Sequence, residues 1–153
     1  MRIIIQRVSE ANVKIDDKIV GEIQKGIMIL FGACKGDGIN EAEFLAKKAA
    51  NLRIFEDENE KMNLSLLDID AQALVVPNFT LYANSKKGNR PSFTKTADKE
   101  VALNLFRYFK QKLKEQNVKK VEGGEFGADM KVFIVNDGPV TIILDTDEIM
   151  PKK

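Results

Sequence analysis

The chain has 153 residues, 44% hydrophobic and 31% charged, with Lys+Arg 24 against Asp+Glu 23 for a formal net charge of +1. That length fits one domain, the composition excludes a disordered chain, and the balanced charge leaves any nucleic-acid contact to local patches. With no histidine and one cysteine, a Ser-His-Asp triad, a Cys-His pair, a His-ligated metal, a Cys-cluster zinc site and an intrachain disulfide are all excluded.

The N-terminus meets a charge at Arg2 and another at Arg7, too early for a signal peptide. No apolar run of about 18 residues is present to span a membrane, so a cytoplasmic protein is expected. Ile3-Ile4-Ile5 is continuous and β-branched and reads as a buried strand, which Val8 to Ile15 continues or bends. Asp16-Asp17-Lys18 reads as a hairpin turn before Ile19 to Ile23, and Gly26 to Gly32 as a second buried strand. Cys34 follows this apolar run and reads as a buried small hydrophobe rather than a reactive thiol.

Asn40 and Glu43 have the spacing of a capping box. Ala42, Leu45, Ala46, Ala49 and Leu52 then fall on one helical face. Glu56 to Lys61 is a charged turn. Ala73-Leu74-Val75-Val76 is a strand that Pro77 breaks, at a sheet edge, a bulge or a strand end. Asn78 to Ala83 resumes an extended pattern, and Asn84 to Pro91 is a polar loop. Thr96 is placed to cap a long helix whose apolar face is Val101, Ala102, Leu105, Phe106, Phe109 and Leu113. Val132 to Val135 and Val140 to Leu144 flank Asn136-Asp137-Gly138-Pro139, a strong hairpin or tight-turn signal. Strands outnumber helices and mostly neighbour one another. The pattern predicts one α+β domain over residues 1–153, with largely antiparallel strands curled around or packed on two main helices.

Three segments carry candidate chemistry. Thr80 is a hydroxyl in an apolar context, with no histidine to activate it; an unactivated hydroxyl is a weak nucleophile. Gly138-Pro139 is either an ordinary turn or a cis peptide. Lys86, Lys87 and Arg90 form either a solvated loop or a phosphate site.

Taken together, Asn78-Phe79-Thr80-Leu81 and Asn136-Asp137-Gly138-Pro139-Val140-Thr141 resemble the D-aminoacyl-tRNA deacylase family, also called D-tyrosyl-tRNA deacylases. The resemblance extends to Met1-Arg2 with Gln6-Arg7-Val8, to Gly88-Asn89-Arg90-Pro91-Ser92-Phe93 and to Phe126-Gly127-Ala128-Asp129-Met130. It covers essentially the whole chain, with the motifs in family order.

The resemblance implies a homodimeric, barrel-like α+β enzyme, without metal or cofactor, that hydrolyses the ester of D-aminoacyl-tRNA. Phe79 and Thr80 take the catalytic positions. Gly138-Pro139 is cis in the family and reaches into the partner subunit's pocket, where its carbonyls exclude an L side chain. Glycyl-tRNA is an expected further substrate, since glycine has no side chain to reject. Arg7, Asn78, Phe126 and Met130 support the pocket, and Arg7 is the candidate for holding the cis turn. With tRNA as substrate, Lys86, Lys87 and Arg90 are the candidate phosphate contacts. The ester is already activated, so a positioned ribose hydroxyl or water supplies rate by proximity, and backbone N–H groups around Phe79 and Thr80 stabilise the oxyanion. The alternative mechanism makes Thr80 the nucleophile. This chain departs from the common Ser-Gln-Phe-Thr-Leu pattern at Pro77-Asn78. A related branch, which has proline there but alanine two residues later, holds its Gly-Pro trans and accepts small L-amino acids. That activity, or a non-catalytic RNA-binding role, is the alternative function.

Overall fold

A computed structural model describes residues 1–152. Its organising element is the first strand, β1 (Arg2–Ile15), which meets three others. The first half pairs antiparallel with β3 (Gly26–Gly32), from Arg2 opposite Gly32 to Val8 opposite Gly26. The second half pairs with β2 (Lys18–Ile23) across a two-residue turn. In that turn Asp16 and Asp17 both adopt positive φ, 49° and 62°, the conformation a tight hairpin requires. Along its other edge β1 pairs with β8 (Lys131–Asp145).

From β3 the sheet continues in parallel to β6 (Gln72–Pro77) and on to β7 (Val121–Gly123). It curls until β2 approaches β7. A Cβ on Gly21 would lie 3.1 Å from the Gly123 carbonyl oxygen and 3.1 Å from Leu74 Cδ1, tighter than ordinary van der Waals contact, so glycine eases the approach. The result is a nearly closed, mixed barrel-like sheet, consistent with the α+β class the sequence predicts. A short hairpin, β4 (Phe55–Glu56) with β5 (Met62–Leu64), lies outside the main sheet.

Alternation along β3 fills two cores. Ile27, Ile29 and Phe31 face α1 (Ile39–Asn51) and α2 (Lys99–Glu115), while Met28 joins Val8, Val13, Ile23, Leu74 and Val76 on the opposite face. Burial on both faces explains why these strands read as continuous apolar runs. The helices bury Ala42, Leu45, Ala46 and Ala49 from α1, and Ala102, Leu105, Phe106, Phe109 and Leu113 from α2. Phe31 anchors the layer, its ring centroid 5.9 Å from that of Phe106 and 5.2 Å from that of Phe109. Among the described residues, no helix is long and apolar enough to cross a membrane.

Several local expectations are corrected. The cap of α1 is Gly38, whose N–H donates to Glu41 Oε2 at 2.8 Å; Asn40 lies inside the helix. The cap of α2 is Asp98 rather than Thr96, and Val101 faces solvent. Cys34 is only partly buried. Burial, followed by the nearby Asp37 carboxylate, raises its thiol pKa, which disfavours thiolate reactivity. Pro77 ends β6, and the segment after it is not extended: Phe79–Tyr82 forms a 3-10 helix capped by Asn78.

The largest correction concerns Asn136 to Pro139. The chain does not reverse there. Both halves of β8 pair with β1 in the same antiparallel sense, so the segment is a bulge within one strand. Val8 faces Asn136 and Gln6 faces Thr141, which leaves residues 137–140 opposite Arg7 alone. Asn136 closes the neck of the bulge, its Nδ2 donating to the carbonyls of Arg7 and Val140, each at 3.1 Å. A bulge and a hairpin use the same turn residues, and only the pairing partner tells them apart.

Candidate active site

Parallel β3 and β6 end at the same edge of the sheet, where the 3-10 helix follows β6 and the N-terminus of α2 approaches. Ligands characteristically bind beyond the carboxyl ends of such strands. A cavity of about 310 Å³ opens here, at the small end of the range for ligand pockets. Phe31 and three alanines, Ala33, Ala97 and Ala102, line its apolar part. Asn78, Phe79, Thr96 and Lys99 add the polar and aromatic groups, and Phe126 and Gly127 complete the wall. The hollow exists because the side chains between the strand ends and α2 are small.

Asn78 organises the loop. Its backbone N–H donates to the Phe31 carbonyl at 2.7 Å, fixing it to β3. Its Oδ1 accepts the Thr80 N–H at 3.2 Å and also receives the Thr80 hydroxyl. The Thr80 amide is therefore already engaged. The Phe79 N–H, first in the 3-10 helix, has no hydrogen-bond partner among the described residues. An orphan donor at a helix start beside a cavity suits a developing negative charge. The Phe79 ring is 54% exposed and meets Phe93 edge-on, with centroids 5.1 Å apart.

The predicted site residues separate into groups. Asn78, Phe79 and Phe126 line the cavity. Thr80 is exposed and outside the lining, its hydroxyl turned to Asn78. Met130 packs instead on the second core cluster. Arg7, expected to support the pocket, lies beneath the bulge: Nη1 donates to the Ile54 carbonyl at 2.8 Å and Nε to the Asp137 carbonyl at 3.1 Å. Gly138 and Pro139 are exposed, their peptide bond is cis, and neither lines the cavity of its own chain. Lys86 lines a separate concavity, while Lys87 and Arg90 line neither. Sequence reasoning missed Thr96, Lys99 and the cavity alanines. The alanines carry no local signal, because an alanine beneath a cavity and one in a packed core look alike.

The family described as D-Tyr-tRNA(Tyr) deacylase matches residues 4–145. A D-aminoacyl-tRNA deacylase of Fusobacterium nucleatum is 54% identical over 148 residues, covering 97% of this chain and 97% of the relative. Among solved structures, the c-Myc DNA Unwinding Element Binding Protein superposes with a TM-score of 0.89 at 37% identity, covering 95% of this chain and 98% of that one. A probable eukaryotic D-amino acid tRNA deacylase shares the fold, with a TM-score of 0.79 at 17% identity over 94% of this chain and 97% of the other. The chain belongs to the D-Tyr-tRNA(Tyr) deacylase family. Its activity is the family's, hydrolysis of the ester bond of D-aminoacyl-tRNA.

Proposed function

We propose that the cavity receives the aminoacylated 3′ end of tRNA, and that a second copy of the chain supplies Gly138-Pro139 to complete it. The observation that carries this reading is the cavity's chemistry: a free Phe79 N–H, one hydroxyl, one ammonium, and no carboxylate or thiol in the lining. Such a site suits an activated ester that brings its own neighbouring hydroxyl. The Phe79 N–H stabilises the oxyanion. The ribose hydroxyl orients water at the carbonyl. The ester C–O bond breaks, releasing the free amino acid and restoring the ribose hydroxyl of the tRNA.

Chirality is set by exclusion. The carbonyls of the partner's Gly138-Pro139 turn occupy the space an L side chain needs, while a D side chain points outward and glycine needs no space. The cis bond is the form the resemblance implies for the D-specific branch. Dimerisation is supported by β8, which pairs with β1 alone among the described strands and exposes Val132, Phe133, Val135 and Ile143. Monomeric proteins rarely leave a long apolar edge strand open. The basic loop bearing Lys86, Lys87 and Arg90 contacts tRNA phosphates, and the enzyme works in the cytoplasm on charged tRNA.

The deciding experiment is release of D-tyrosine, L-tyrosine, L-alanine and glycine from charged tRNA by the purified protein. D-tyrosine and glycine are expected to be released and L-tyrosine retained; release of L-tyrosine would show that the turn does not exclude L side chains, while release of L-alanine would assign the chain to the branch that accepts small L-amino acids. Thr80→Ala separates the two mechanisms. Its hydroxyl is bonded to Asn78 and has no base, so hydrolysis within about tenfold of wild type is expected. A loss of about 10⁴-fold with tRNA binding intact would make Thr80 the nucleophile.

A further inference from the structure

A second concavity, of about 420 Å³, lies beside the cavity. Both are walled by the same two elements. The 3-10 helix gives Phe79 to the cavity and Tyr82 to the concavity, and the segment before α2 gives Thr96 to the cavity and Lys95 to the concavity. Thr94 and Lys95 form a turn that the Thr96 N–H closes by donating to the Phe93 carbonyl at 3.1 Å. Cys34 forms an isolated β-bridge with Thr96, and the Lys95 carbonyl accepts the Lys35 N–H at 2.9 Å, so the turn is fixed between the two hollows.

Arg2, Lys86 and Lys95 line the concavity, and no carboxylate does. Arg2 is fixed: its guanidinium meets Asp145 Oδ2 at 2.7 and 2.8 Å, donates to the Leu81 carbonyl at 2.8 Å, and sits 5.0 Å from the centre of the Tyr82 ring. Asp145 answers much of its charge. Lys86 and Lys95 form no ion pair among the described residues. The loop carrying Lys86 is pinned at its base by reciprocal backbone bonds between Asn84 and Ser92, at 2.8 and 2.9 Å. Asn84 Oδ1 also accepts the Lys86 N–H at 3.0 Å. Two unpaired ammonium groups are thus held over one concave, basic surface.

We propose that Lys86 and Lys95 bind phosphodiester groups of the single-stranded RNA end in this concavity. This rests on the reading of the neighbouring cavity as the site of the aminoacylated terminus. A strand whose last nucleoside enters the cavity passes the shared wall, and its preceding phosphates meet the two lysines. Lys95 is a contact that the loop cluster of Lys86, Lys87 and Arg90 does not include, and of those three only Lys86 faces the concavity.

The test is binding of uncharged tRNA to the full-length protein between about 50 and 200 mM salt, compared with deacylation of D-tyrosyl-tRNA by the same preparation. Each single-strand phosphate contact contributes about 0.7 to the slope of log affinity against log salt. K86A/K95A is expected to bind roughly tenfold more weakly at the low-salt end, with a slope shallower by about 1.4. A control on the exposed side of α1, K47A/K48A, is expected to match wild type. If K86A/K95A matches that control, or wild type binds no tRNA, the proposal is wrong. Deacylation is read separately: its absence from wild type sinks the functional reading, while the binding comparison still decides the concavity.

Discussion

Replacing Gly138 by alanine is expected to lower the rate of D-aminoacyl-tRNA hydrolysis by about 5- to 150-fold. Gly138 has φ +127°, a conformation essentially confined to glycine. An added Cβ would lie 2.8 Å from Val140 Cγ2, 3.0 Å from the Val140 nitrogen and 3.1 Å from Arg7 Nη2. Holding a non-glycine residue in such a region costs about 1–3 kcal/mol, and each 1.36 kcal/mol is tenfold in rate. Relaxation would move the turn that the partner subunit's cavity is proposed to receive. Rejection of L substrates should weaken with it. The check is kcat/KM on matched D- and L-tyrosyl-tRNAs, alongside a denaturant midpoint to separate local distortion from unfolding. Full D activity with full L rejection would place the turn outside the site.

Removing the guanidinium beneath that turn should have the largest effect on stability. Arg7 is only 6% exposed and spans two segments far apart in sequence, bonding the carbonyls of Ile54 and Asp137. Its carboxylate neighbours, Glu56 at 3.8 Å and Asp137 at 3.7 Å, are more than half exposed. The neutral acceptors therefore carry the argument, not the ion pairs. Arg7→Ala leaves the Ile54 carbonyl, whose bond is buried, and the part-buried Asp137 carbonyl without their donor, at about 1–3 kcal/mol for the buried acceptor and less for the other. A loss of roughly 2–5 kcal/mol in urea denaturation is expected. Arg7→Lys should recover part of it, because one ammonium cannot reproduce the fork that reaches both carbonyls. A change below about 0.5 kcal/mol, typical of an unremarkable surface position, would show that the bulge holds itself.

The elements that sequence reading located well are those whose signal is local. Ile3 to Ile5 and Ile27 to Phe31 are apolar because both faces of their strands are covered, and the helical faces of α1 and α2 recur with the helix period. The errors arise where the deciding fact is a partner elsewhere in the chain. The Asn136 to Pro139 bulge depends on a register against β1 that no four-residue pattern contains. The start of α1 was displaced because Gly38 has no capping side chain, while Asn40 offered a stronger signal nearby. At the site, Asn78, Phe79 and Phe126 were legible through the family motifs. Lys99 and Thr96 were not, because a cavity is a deficit of side-chain volume between elements whose packing must be known first.

The pairing of β1 with β8 also bears on how the chain acquires its structure during synthesis. Residues 2–14 are zipped against residues 131–145, so the first strand keeps one edge open until more than a hundred further residues have been translated. At about 5–20 residues per second, that interval is on the order of ten seconds. The hairpin of β1 with β2 and the pairing with β3 form from local sequence, but joining the two distant strands is a high-contact-order step and intrinsically slow. A nascent chain stalled before β8 would present an unpaired, isoleucine-rich edge, a template for intermolecular strand addition and a target for ribosome-associated chaperones.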